Sequence, residues 1–89
     1  MAAAKRVVVS GRVQGVFFRA HVADVARAHG VGGWAANRDD GSVEIHAEGQ
    51  PEAVEAVIAA AREGSPRAQV EQVEVTDVPP ENCDGFRTR

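Results

Sequence analysis

The chain has 89 residues, 44% of them hydrophobic and 26% charged. That is enough for one two-layer domain over residues 1–89, and too balanced for a disordered tail, a collagen repeat or a coiled coil. No run of about 18 apolar residues is present to form a membrane-spanning helix. The net charge of −3 divides unevenly, with six basic against four acidic groups in residues 1–45 and four against nine in residues 46–89. With no Lys/Arg run in an acidic chain, nucleic acid is not expected as a partner, because phosphate neutralisation supplies most of that affinity.

The first residues, Met1-Ala2-Ala3-Ala4-Lys5-Arg6, place their charges after a three-alanine stub. A secretory signal has the reverse order, so a cytoplasmic location is expected. Lys5 to Ser10 (KRVVVS) reads as a buried strand. A loop rich in glycine and apolar residues follows, from Gly11 to Phe18. From about Phe18 the spacing becomes helical: Phe18, Val22, Val25, Ala26 and His29 fall on one stripe, and Gly30 suits a left-handed helix end.

Val31–Asn37 and Ser42–Glu48 read as two strands joined through Arg38-Asp39-Asp40-Gly41, where Asp-Gly signals a hairpin turn. Val43, Ile45 and Ala47 alternate with Glu44, His46 and Glu48, which predicts one core face and one wet face. Trp34, in the preceding strand, is expected in the core. A second helix starts at Pro51, carries the stripe Val54, Val57, Ile58 and Ala61, and ends before Gly64. Val70–Val78 reads as a strand stopped by Pro79-Pro80, and Gly85–Arg89 as a short edge strand. The order β-α-β-β-α-β predicts an α+β, ferredoxin-like α/β sandwich, with one mainly antiparallel sheet and two helices on one face.

Cys83 is the one cysteine, which leaves no internal disulfide and no cysteine-based zinc site. In its polar tail it is expected to be exposed, with neighbouring carboxylates disfavouring the thiolate.

The loop before the first helix is the unusual stretch. Gly11 and Gly15 permit a tight backbone, and the four residues before Arg19 include no Ser, Thr, Asp or Asn to cap the helix. Its first N–H groups are therefore donors without partners. Unpartnered amides at a positive helix end, with a guanidinium beside them, suit a phosphate. The bland alternative is a glycine loop whose Val16, Phe17 and Phe18 partly fill the core. Asn37, at the end of the second strand, could face Arg19 and hold a water in line with a bound phosphorus, or could simply serve the turn. Asp39-Asp40 is no acid/base pair, since adjacent turn residues point apart. His21 should point away from Arg19.

Gly11-Arg12-Val13-Gln14-Gly15-Val16-Phe17-Phe18-Arg19, followed by Gly33-Trp34-Ala35-Ala36-Asn37 and Asp40-Gly41-Ser42-Val43-Glu44, resembles the acylphosphatase family over the whole chain. The resemblance implies a hydrolase that splits acyl phosphates into a carboxylate and inorganic phosphate without metal, cofactor or covalent intermediate. It assigns the phosphate cradle to the backbone amides of Gly15, Val16, Phe17, Phe18 and Arg19, makes Arg19 the transition-state-stabilising residue, and makes Asn37 the residue that positions water. Inorganic phosphate would be product and competitive inhibitor, and the protein a monomer. Phe17 stands where the family commonly has a small residue, which narrows access, and Arg38 adds a positive charge beside Asn37. The competing reading is a catalytically silent phosphate-binding or small-molecule regulatory module on the same fold. An RNA-recognition role lacks aromatics on the central strands.

Overall fold

Val7 and Val9 alternate with more exposed neighbours along β1 (Ala3–Arg12), and both are fully buried. The helix α1 (Phe18–Ala28) presents Phe18, Val22, Ala23 and Ala26 to the same core at helical spacing. β2 (Gly32–Asn37) and β3 (Val43–Gly49) form the expected antiparallel hairpin. α2 (Pro51–Glu63) opens on Pro51 and Glu52, then ends at Gly64. β4 (Gln69–Asp77) and β5 (Phe86–Thr88) complete the chain. The computed structural model describes residues 2–89; Met1, at the head of the alanine stub, lies outside the described residues.

The sheet order is β4-β1-β3-β2-β5. β1 is an interior strand, antiparallel to both β3 and β4, and β3 is the middle strand. β5 joins the outer edge of β2 in parallel, so the sheet is mixed, with three antiparallel pairings and one parallel. Both helices cover one face: Val22 and Ala26 of α1 and Val54, Val57, Ile58 and Ala61 of α2 share one core cluster with Val7, Val9, Val43, Ile45 and Ala47. This is the ferredoxin-like α+β sandwich. Its first strand is longer than Lys5–Ser10, because pairing with β3 extends it back to Ala3 and pairing with β4 carries it on to Arg12.

The other sheet face departs from the alternation pattern. His46 and Glu48, expected to be wet, are 3% and 9% exposed. The reason is topological. β4 and β5 lie at opposite edges, so residues 78–85 must cross the sheet between them. That crossing carries the Glu81 and Cys83 backbone N–H groups onto the Glu48 carboxylate, the first at 2.7 Å. Burial alone would raise the Glu48 carboxyl; bonds from His46 and from these two amides outweigh it and hold it below its ordinary value. Trp34 lies on this face too, stacked on His46 with ring centroids 6.0 Å apart, and is only half-buried. Cys83 is half-buried, where desolvation and then Glu48 and Glu81 raise its thiol pKa. His29, placed on the apolar stripe, is exposed, because α1 ends at Ala28 and the chain leaves the helix there.

Gly33 sets the spacing of the hairpin. Its φ is +145°, and a Cβ there would stand 1.7 Å from the His46 carbonyl oxygen. Gly33→Ala must break a β2–β3 contact, and is expected to cost about 3 kcal/mol or more of unfolding free energy by urea denaturation.

Candidate active site

Phe17 occupies the N-cap of α1 in a left-handed conformation, φ 58° and ψ 26°, and no side chain caps the helix. The first helical amide with a backbone partner is His21 N–H, which donates to the Phe17 carbonyl at 3.0 Å. Among the described residues, the N–H groups from Gly15 to Ala20 donate to no backbone carbonyl and no side chain. Gly15, at φ +73°, and Phe17 together turn the chain through two left-handed residues, a geometry that gathers successive amides into an anion-binding concavity.

These amides border a cavity of about 390 Å³, lined by Val13, Gly15, Phe17, Phe18, Arg19 and Asn37. Residues 18 positions apart in the chain thus meet at one site. Phe17 does not fill the core: it is 83% exposed, an energetically odd place for a ring. Val16 differs from its neighbours, with a buried side chain in the core cluster; what it offers the site is its backbone. The buried Ser65 hydroxyl holds that backbone by donating to the Val16 carbonyl at 2.7 Å.

Arg19 is oriented from the far end of the sheet. Its Nη1 donates to the main-chain oxygen of Arg89, whose N–H bonds the Ala35 carbonyl at 2.8 Å. The Arg89 guanidinium in turn lies 4.5 Å from the centroid of Trp34. β5, the short strand at the sheet edge, is therefore part of the site's frame. Arg27, in the last turn of α1, fixes the start of β5 through the Phe86 carbonyl at 3.0 Å.

Asn37 takes no part in the bonds of the turn that follows it. Asp40 serves that turn, accepting from the Ser42 N–H at 3.0 Å and from the Ser42 hydroxyl; the hydroxyl bond is the main cause of its lowered carboxyl pKa. Arg38 does not line this cavity but a neighbouring one that Asn37 shares, and its guanidinium lies 3.9 Å from Asp40. His21 is likewise outside the cavity wall. The residue that sequence reasoning passed over is Gln14. Its Nε2 donates to the carbonyls of Arg38 at 2.8 Å and Ser42 at 3.0 Å. One side chain thus ties the amide loop to the turn beside Asn37. Its position inside the glycine loop was the available signal.

The chain is similar in sequence and in fold to known acylphosphatases. The family model described as Acylphosphatase matches residues 5–88. The acylphosphatase of Natronomonas pharaonis is 49% identical over 83 residues, covering 93% of this chain and 90% of the relative. That of Haloarcula marismortui is 51% identical over 83 residues, covering 93% and 91%. The crystal structure of acylphosphatase from Bacillus subtilis superposes with a TM-score of 0.93 at 40% identity, covering 100% of this chain and 99% of that one.

Gln14→Ala removes both bonds to the turn without touching the core. It is expected to cost about 1–2 kcal/mol in urea denaturation and to speed amide hydrogen exchange at Arg38 and Ser42 selectively.

Proposed function

This chain belongs to the acylphosphatase family and is an enzyme that hydrolyses acyl phosphates; on that premise we propose that the backbone amides of Gly15, Val16, Phe17, Phe18 and Arg19 cradle the phosphoryl group. In this reading the Arg19 guanidinium binds two of its oxygens and Asn37 orients the attacking water. The observation that supports the proposal is that Gly15, Phe17 and Phe18, whose amides have no protein acceptor, line the same cavity as Arg19 and Asn37.

The chemistry asks for little else. The leaving group is a carboxylate, whose conjugate acid has a pKa of about 4, so no general acid is required. Phosphoryl transfer proceeds mainly by positioning and by stabilising charge spread over the equatorial oxygens. Fixed N–H dipoles and a guanidinium do this without reorganising as the charge develops. The Asn37 side chain offers a carbonyl oxygen to accept a water proton, which leaves an oxygen lone pair toward phosphorus. No metal, cofactor or covalent enzyme intermediate enters the scheme. Inorganic phosphate, which presents the same oxygens, is proposed as product and competitive inhibitor.

The same proposal takes residues 1–89 as one domain acting as a cytoplasmic monomer. The single continuous core cluster supports the first part. The edge strand β4 supports the monomer, since exposed Glu71, Glu74 and Asp77 discourage strand pairing between copies. A lone cysteine with no disulfide is compatible with a reducing compartment.

Benzoyl phosphate hydrolysis in EDTA tests the scheme. Arg19→Ala is expected to lower kcat/KM by about 10²–10³-fold or more and to abolish inhibition by phosphate. Asn37→Ala is expected to abolish turnover while phosphate still inhibits residual activity, or still binds, as in the parent. Equal loss of binding in the Asn37 variant would assign that residue to the loop frame and not to the water.

Phe17→Gly separates strain from substrate contact. Relief of a left-handed non-glycine residue should stabilise the fold by up to about 1 kcal/mol. The exposed ring at the cavity wall is expected to contact aromatic acyl groups, so KM should rise for benzoyl phosphate and stay unchanged for acetyl phosphate.

A further inference from the structure

The crossing segment brings three different metal-binding side chains together on the face opposite the helices. A ligand atom each from His46, Glu81 and Cys83 lies within 4.8 Å of the others. These residues come from β3 and from residues 78–85, and none lines the cavity beside Arg19. We infer that His46, Glu81 and Cys83 form a binding site for a divalent cation of the zinc class.

His46 carries the strongest part of the argument. It is 3% exposed, with Nε2 held by Glu48 while the ring lines an open cleft with Trp34 and Glu81. Nε2 lies 2.9 Å from Glu48 Oε2. That carboxylate accepts from the backbone N–H groups of Glu81 and Cys83, which marks it as an acceptor, so Nε2 carries the proton. Nδ1 is then a lone pair, and it faces Glu81 Oε2 at 3.8 Å. Two acceptors face one another there at a separation too long for a hydrogen bond. A cation between them turns this unfavourable contact into a favourable one. The Cys83 sulfur lies 3.9 Å from the other Glu81 oxygen, Oε1. A proton could satisfy one of these contacts; a metal that displaces the Cys83 thiol proton to solvent satisfies all three.

The outer partners are also in place. Glu48 fixes the imidazole tautomer, the carboxylate–histidine pairing common behind metal-bound histidines. The Trp34 indole N–H donates to Glu81 Oε1 at 3.0 Å and orients that carboxylate. An open cleft lined by Trp34, His46, Pro79 and Glu81 gives an entry path and room for water as a fourth ligand. The mixed N, O and S donors favour zinc or cobalt over magnesium or calcium, which take oxygen ligands. Tetrahedral zinc needs donor separations of about 3.5 Å. Rotations of Glu81, which is exposed, and Cys83, which is half-buried, can close that gap around a stationary His46.

Bound metal would pin residues 78–85 to the sheet and so steady the path into β5, without entering the phosphate chemistry. The full chain, freed of metal and kept reduced with a phosphine, is titrated with Co²⁺. The expected result is one Co²⁺ per chain, tetrahedral visible bands with a thiolate-to-cobalt charge-transfer band, displacement by Zn²⁺, and a Tm raised by several degrees. Cys83→Ser should lose the charge-transfer band, and both Cys83→Ser and Glu81→Gln should bind at least tenfold more weakly, with benzoyl phosphate turnover in EDTA unchanged as the check of folding. A spectrum without the charge-transfer band, or equal Co²⁺ binding by parent and variants, overturns the site.

Discussion

Everything at the cavity depends on the uncapped start of α1. A helix that begins without a side-chain acceptor leaves several N–H donors unpaired, normally a cost of about 1 kcal/mol relative to a good cap. Here the chain compounds that cost by placing Phe17 in a left-handed conformation and exposing its ring. Such choices are poor for stability, and on the proposed reading they serve to grip a tetrahedral anion, because each omitted cap is a donor held ready.

The rest of the molecule can be understood as the frame that holds these donors still. Ser65, from the loop after α2, fixes the Val16 carbonyl; Gln14 fixes the turn beside Asn37; Arg89, at the end of β5, fixes Arg19. Each of these three tethers comes from a different part of the chain, and each reaches a backbone oxygen. The sheet order explains why that is possible: β1 and β2 flank β3 and run parallel, so the loop leaving β1 opens at the same end of the sheet as Asn37, and Thr88 of β5 lines the cavity with them. In the proposed scheme, a rigid scaffold carrying an unsatisfied loop is the physical basis for catalysis by positioning without a protein nucleophile.

Much of this was readable from the residues. The hydrophobic stripes of both helices and the Asp40-Gly41 turn obey local rules, and the bounds read from them hold to within two residues, with β1 two residues longer at each end. The missing cap and the presence of Arg19 were local as well, and Asn37 followed from topology. What escaped was whatever depends on cover from far along the chain. Alternation in β3 cannot show that residues 78–85 bury His46 and Glu48, or that Trp34 belongs to that second face and not to the core. Likewise, counting one cysteine excludes a multi-cysteine site but says nothing of Cys83 meeting a histidine 37 positions away. Gln14 was hidden for a further reason: its two bonds go to main-chain carbonyls, which leave no imprint on residue type.

The central claim is that one set of amides, from Gly15 to Arg19, receives the phosphoryl group. Titrating ¹⁵N-labelled protein with inorganic phosphate and following every amide is the most direct measurement. The account predicts that the amides of residues 15–19 and the Arg19 side-chain N–H shift together with one dissociation constant, equal to the inhibition constant for phosphate. Largest shifts at any other segment, or a constant unrelated to inhibition, would contradict it.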